Sequence, residues 1–172
     1  MAAGREERAS VRAAQRGSAS GIEALFRLHW PSAYRAAFLV VHDASAAEDI
    51  AQEAFLAAIR NLDRFDRGRP FGPWLHRIVV NRAIDWTRSR QLRAETGLVE
   101  ASVWDDARDV SDETLAALAR LTPEHRAVIV LRHLLGYSPG EIAELLNLPR
   151  GTVNSRLRRG LDTLKETVLR ET

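Results

Sequence analysis

The 172-residue chain contains no cysteine, one methionine and one lysine. Without thiols there can be no disulfide, no thiolate nucleophile and no Cys-ligated zinc, and a reducing compartment is the expected home. No run of 18 apolar residues occurs, so no membrane insertion is expected. Residues 1–20 lack the apolar segment of a secretory leader. Enzyme signatures are missing too: there is no Gly-rich phosphate loop, no His-x-x-x-His and no Ser/His/Asp set in a recognisable context. His29, His42, His76, His125 and His133 do not cluster at ligand spacing. They are expected at the surface or in caps, and no metal and no cofactor is expected. No useful length of strand-like alternation appears, and no internal repeat. These absences point to a cytoplasmic, all-α protein that is not an enzyme.

Hydrophobic residues make up 45% of the chain, enough for real cores, and charged residues 28%. The basic side chains are 24 arginines and Lys165, and with so many alanines this composition suggests a GC-rich genome. The net charge of +2 hides a segmented pattern. Residues 64–93 carry eight Arg against Asp66 and Asp85, a balance of +6. Residues 94–113 carry seven acids against Arg108, a balance of −6, and residues 114–172 return to +3.

Residues 1–19 hold almost no large apolar side chains and are expected to be a disordered tail. From Ser20, Ile22, Leu25, Phe26 and His29, then Tyr34, Ala37, Phe38 and Val41, recur at helical spacing, with Pro31 expected to kink or break the helix. Ser45 to Glu48 reads as a capping box opening a second helix with Phe55, Ala58, Ile59 and Leu62 inward. Residues 63–73, with two Gly and two Pro, read as a loop. A third helix runs from about Trp74 to Arg90, its apolar face Leu75, Ile78, Val79 and Trp86, its polar face Arg77, Asn81, Asp85 and Arg88. Residues 93–111 read as a flexible acidic linker. A second helical domain follows at 112–172, the first spanning 20–92. Thr122-Pro123 and Ser138-Pro139-Gly140-Glu141 are helix starts with Pro in the first turn. Asn147-Leu148-Pro149 is a turn, and Val153, Leu157, Leu161, Leu164 and Val168 line the last helix.

Three constellations carry chemistry. The first is a helix-turn-helix over 138–164. Arg150, Thr152, Asn154, Ser155 and Arg158 lie outward or near the start of its second helix, where Arg can fork onto guanine and Asn onto adenine. Arg156 and Arg159 suit phosphates, and Ser138 is included in this surface. The second is Phe65, Phe71 and Trp74 interleaved with Arg64, Arg67, Arg69 and Arg77. Aromatics stack on unpaired bases while arginine follows the backbone; the alternative is that the aromatics anchor a small bundle. The third is an acidic face, Glu48, Asp49, Gln52 and Glu53, which could equally be a solvated surface.

The runs Ala47–Leu56 (AEDIAQEAFL), Pro73–Asp85 (PWLHRIVVNRAID), Glu141–Leu146 (EIAELL) and Gly151–Leu157 (GTVNSRL) resemble the extracytoplasmic-function sigma factors, the two-domain members of the bacterial sigma-70 family. The resemblance covers residues 21–168. It implies that Glu48, Asp49, Gln52 and Glu53 dock on the beta-prime clamp helices of core RNA polymerase, with the beta flap a further contact. It implies that Phe65, Arg67, Arg69, Phe71, Trp74, Arg77, Asn81, Arg82, Asp85 and Arg88 recognise and melt the −10 element of promoter DNA, capturing a flipped base. The C-terminal residues named above would read duplex DNA at −35. An anti-sigma factor is an implied partner. In the family the linker threads through polymerase, so its acids could mimic nucleic acid; an ordinary solubilising linker is the competing reading. Asn154 stands where Lys or Arg is frequent, and Gly160, where Ala is usual, should cost the last helix about 1 kcal/mol. A dimeric helix-turn-helix repressor or activator, acting without polymerase, is the alternative. It would need palindromic sites and a dimer interface.

Overall fold

In the computed structural model, residues 2–97 and 110–171 are described, and all of their regular structure is helical. The acidic segment 98–109, including Asp105, Asp106 and Asp109, lies outside the described residues, and with it the mimicry reading.

The N-terminal unit is built from α1 (Ala2–Gln15), α2 (Ala19–Val41), α3 (Ala44–Arg60), a 3₁₀ turn (Leu62–Arg64) and α4 (Phe71–Glu95). Helix α1 corrects the expectation of a disordered tail. It docks not through bulky side chains but through smallness. Val11 and Ala14 are buried, and a Cβ on Gly21 would stand 2.6 Å from the Ala14 amide nitrogen and 2.8 Å from the Ala13 Cβ. Only glycine lets α1 and α2 cross this closely. Glu7 reaches across to His29, Oε1 to Nε2 2.8 Å.

Helix α2 runs through Pro31 without the break that proline could have caused. Pro31 and Arg27, whose carbonyl loses its partner, are both exposed, so water can take that bond. Leu25, Ala33, Ala36 and Ala37 on the other side are fully buried, and their packing keeps the segment helical. It ends at His42, in the left-handed region at φ 56°. The cap of α3 is then Asp43, whose Oδ1 accepts from the Ala46 amide at 2.9 Å, and not the expected Ser45. Helix α4 is longer than expected at both ends and places Phe71 at the centre of the core.

The C-terminal unit comprises α5 (Asp112–Ala119), α6 (Pro123–Ile129) continuing through a π-helical stretch (Val130–Leu134), α7 (Pro139–Leu146) and α8 (Arg150–Glu171). Its starts match the sequence reading. The Thr122 hydroxyl accepts from the His125 amide, and Ser138 and Glu141 form the reciprocal capping box, with bonds of 3.3 and 2.7 Å. Val153 and Leu157 are buried as expected, whereas Leu161 is exposed. Gly160 is there for space: a Cβ would lie 2.9 Å from Ile129 Cγ1, so its small size lets α8 close on α6.

The two units, expected to be joined only by a flexible linker, are packed together. Helix α4 lies against α6 and α7, and the end of α2 against α6. The buried guanidinium of Arg126 donates to the carbonyls of Leu118, Ala119 and Leu121 around the end of α5, and to Val40 at the end of α2, the last at 2.6 Å. Burial lowers its pKa to about 10, and the carbonyl-rich ends of two helices compensate that cost.

Candidate nucleic-acid interface

The loop between α3 and α4 is built by local polar bonds. The Asp66 Oδ1 accepts from the Gly68 amide at 2.8 Å, and the Asp66 carbonyl from Arg69 N at 3.0 Å, which turns the chain and exposes Arg64, Arg67 and Arg69. The aromatics divide. Phe71 is fully buried against Phe55, His29 and Phe65, so it is a core anchor and offers no face to a base. Phe65 is also buried and packs on Trp74, centroids 4.8 Å apart. Trp74 alone of the three is partly open. It lines a cleft of about 640 Å³ with Arg64, Arg69 and Arg77 on one wall and Tyr137, Glu141 and Glu144 on the other.

Along α4, Arg77, Asn81, Asp85 and Arg88 are exposed in one stripe. Arg82 pairs with Glu53 at 3.1 Å, joining a residue expected at DNA with one expected at polymerase. Arg88 is bound by Glu124 of the C-terminal unit. Burial opposes the Glu124 charge, but its backbone amide and Arg88 outweigh it and hold the carboxyl below its ordinary value. On α3, Glu48, Asp49, Gln52 and Glu53 are exposed on a face beside the half-exposed Leu56.

Helix α8 exposes Arg150, Asn154, Arg158 and Arg159 beside the buried stripe of Val153 and Leu157, with Thr152, Ser155 and Arg156 half-buried. Ser138 does not join this surface freely, because its hydroxyl is occupied capping α7.

Sequence reasoning missed the polar joint between the units. His76, expected at the surface, is buried. Its Nδ1 lies 2.6 Å from the Tyr137 hydroxyl and its Nε2 3.1 Å from Ser32 Oγ. Burial, then the nearby His29, depress its pKa to about 4. Burial, then Glu141, raise the Tyr137 hydroxyl to about 12. His29 and His42 are buried too, and burial and Arg126 take His42 down to about 3. No spacing rule could flag His76, because its partners lie 44 and 61 residues away.

A small helical bundle with an Arg-lined loop is followed by a helix-turn-helix, and family models identify both as parts of a two-domain transcription initiation factor of the sigma-70 type. Sigma-70 region 2 matches residues 25–93, and Sigma-70 region 4 matches residues 111–164. The ECF RNA polymerase sigma factor SigW of Bacillus subtilis is 30% identical over 91% of this chain and 93% of its own. SigL of Mycobacterium tuberculosis is 34% identical over 93% and 96%. Among solved structures, CnrH in complex with the cytosolic domain of CnrY matches with a TM-score of 0.75 at 27% identity, covering 97% of this chain and 99% of that one. The sigma factor RpoE with the anti-sigma factor NepR, from Bartonella quintana, matches at 0.70 and 25%, covering 85% and 95%. The chain belongs to the ECF sigma factors of RNA polymerase.

Proposed function

We propose that this sigma factor docks on core RNA polymerase through Glu48, Asp49 and Gln52 of α3, with Glu53 shared between polymerase and Arg82. The loop after α3 and the exposed stripe of α4 take the −10 element, with Arg67, Arg69, Arg77 and Arg88 on the backbone and Trp74 at the open end of an aromatic stack. Helix α8 takes the −35 major groove with Arg150, Asn154 and Arg158. The observation that carries this reading is the pair of exposed polar stripes, on α4 and α8, each backed by a buried apolar face. The working unit for −10 includes α1, which packs on α2 and against the loop. An anti-sigma factor is a further proposed partner, in keeping with the two solved relatives, each captured with another chain.

Elements named −35 and −10 lie roughly 25 base pairs apart, about 85 Å at 3.4 Å per pair. Two units joined by the Arg88–Glu124 pair and the Arg126–Val40 bond cannot reach both, so the packed arrangement is a resting form that opens on promoter engagement.

The decisive experiment is binding to core polymerase followed by run-off transcription from a random promoter pool. Tight core binding and selective initiation, with two enriched elements at fixed spacing, is the expected result. Binding to palindromic duplex as a dimer, with no affinity for core, would overturn it.

A further inference from the structure

Gln15, the last residue of α1, is in contact with the Arg-lined loop nearly fifty residues away. Its Nε2 donates to the Leu62 carbonyl at 2.8 Å and to the Phe65 carbonyl at 3.3 Å, and its Oε1 accepts from Arg67 Nε. One amide thus serves three loop groups at the junction where the 3₁₀ turn passes into the loop. Its placement is overdetermined. Gly17 at φ 82° ends α1 just beyond it, Val11 and Ala14 bury the helix, and Gly21 permits the close crossing that brings it within reach.

We infer that Gln15 is a positioning residue for promoter recognition: it fixes the backbone that holds Phe65 against Trp74 and orients Arg67 toward melted DNA. The inference rests on the −10 role proposed above. The bond to Arg67 uses Nε, so both terminal nitrogens lie outside it and can meet a phosphate. The carbonyls held are those on either side of Asp63 and Arg64, so the turn cannot rotate without breaking them. A flipped base needs a site already shaped before it arrives, because a loose loop must be ordered at the expense of binding.

The test compares Gln15→Ala, Gln15→Met, which fills the same space without polar atoms, and Gln15→Glu, which can accept from Arg67 but cannot donate to the carbonyls. Full-length variants are assayed for core polymerase binding and for run-off from a pool randomised only in the −10 element. Core binding should stay within twofold of wild type. Selectivity among −10 sequences should fall about tenfold for Ala and Met, as expected for losing partly buried hydrogen bonds, and by an intermediate amount for Glu. Variants that melt at lower temperature but enrich the same −10 bases with unchanged selectivity would overturn the inference, leaving Gln15 a purely structural contact. If wild type itself enriches no −10 sequence, the −10 reading fails instead. Should Ala fold poorly, the Met and Glu pair decides alone.

Discussion

Gly160 illustrates how a residue that looks costly can be required. By helix propensity, Gly160→Ala should gain about 1 kcal/mol. The new methyl would stand 2.9 Å from Ile129 Cγ1 in a closed interface, and overpacking costs roughly 1–3 kcal/mol. The expected outcome is a net loss of about 1 kcal/mol in urea unfolding, and a gain would mean that Ile129 gives way freely. His76 makes a second residue-scale prediction. Its pKa falls from the ordinary 6.5 to about 4 in the folded chain. Between those values the unfolded state binds the proton and the folded state does not, so stability is complete above pH 6.5 and is lost as the pH falls toward 4. His29, Tyr137 and Glu141 face this site, and His42, near Arg126, acts with the same sign. Thermal unfolding followed from pH 7.5 to 5 should show the decline. His76→Gln should flatten it, and an unchanged slope would assign the effect to His42 or His29.

At the scale of the element, the starts of α6 and α7 were legible because capping is local chemistry: Thr122-Pro123 and the Ser138–Glu141 box lie within four residues of their partners. The start of α3 was misread by two residues because Asp43 and Ser45 are both competent caps, and the left-handed His42 decides between them. Asp43→Ala should therefore cost about 1 kcal/mol while Ser45→Ala costs little, measured by chemical denaturation of each. Equal losses would restore the Ser45 cap. Helix α1 escaped the sequence reading because periodicity counts large apolar side chains, and this helix docks by lacking them at Ala13, Ala14 and Gly21. Pro31 misled for a related reason: a broken backbone bond matters less on the exposed side of a helix buried by three neighbours. Residue type and spacing offered Phe65, Phe71 and Trp74 as a stacking platform, and the resemblance supplied the −10 role, yet whether an aromatic stacks on a base or on its own core depends on burial. That placed Phe71 in the core and left Trp74 at the cleft.

The two units are joined by helix packing and by a handful of polar contacts. The Arg88–Glu124 pair is partly exposed, with 54% and 24% of the side chains accessible, so it contributes at most about 1 kcal/mol and is weakened by salt. Glu124→Gln should raise the fraction of open molecules and make that fraction less salt-dependent. Energy transfer between dyes on two introduced cysteines, one in each unit, can read this directly, since the chain has none of its own. An opening equilibrium indifferent to both mutation and salt would show that the pair is incidental. A partner that favours the closed form can shift the balance only by its differential affinity for the two forms.

The four-carbonyl grip of Arg126 has a kinetic consequence. Three of its bonds lie within the C-terminal unit and only the one to Val40 crosses to the other. If the units part as proposed, three of the four bonds that seat the guanidinium are kept, and the C-terminal unit need not refold before the next closure. Opening and closing should then run on the microsecond-to-millisecond scale of hinge motions, and the dwell time in either form will be set by how long a bound partner stays.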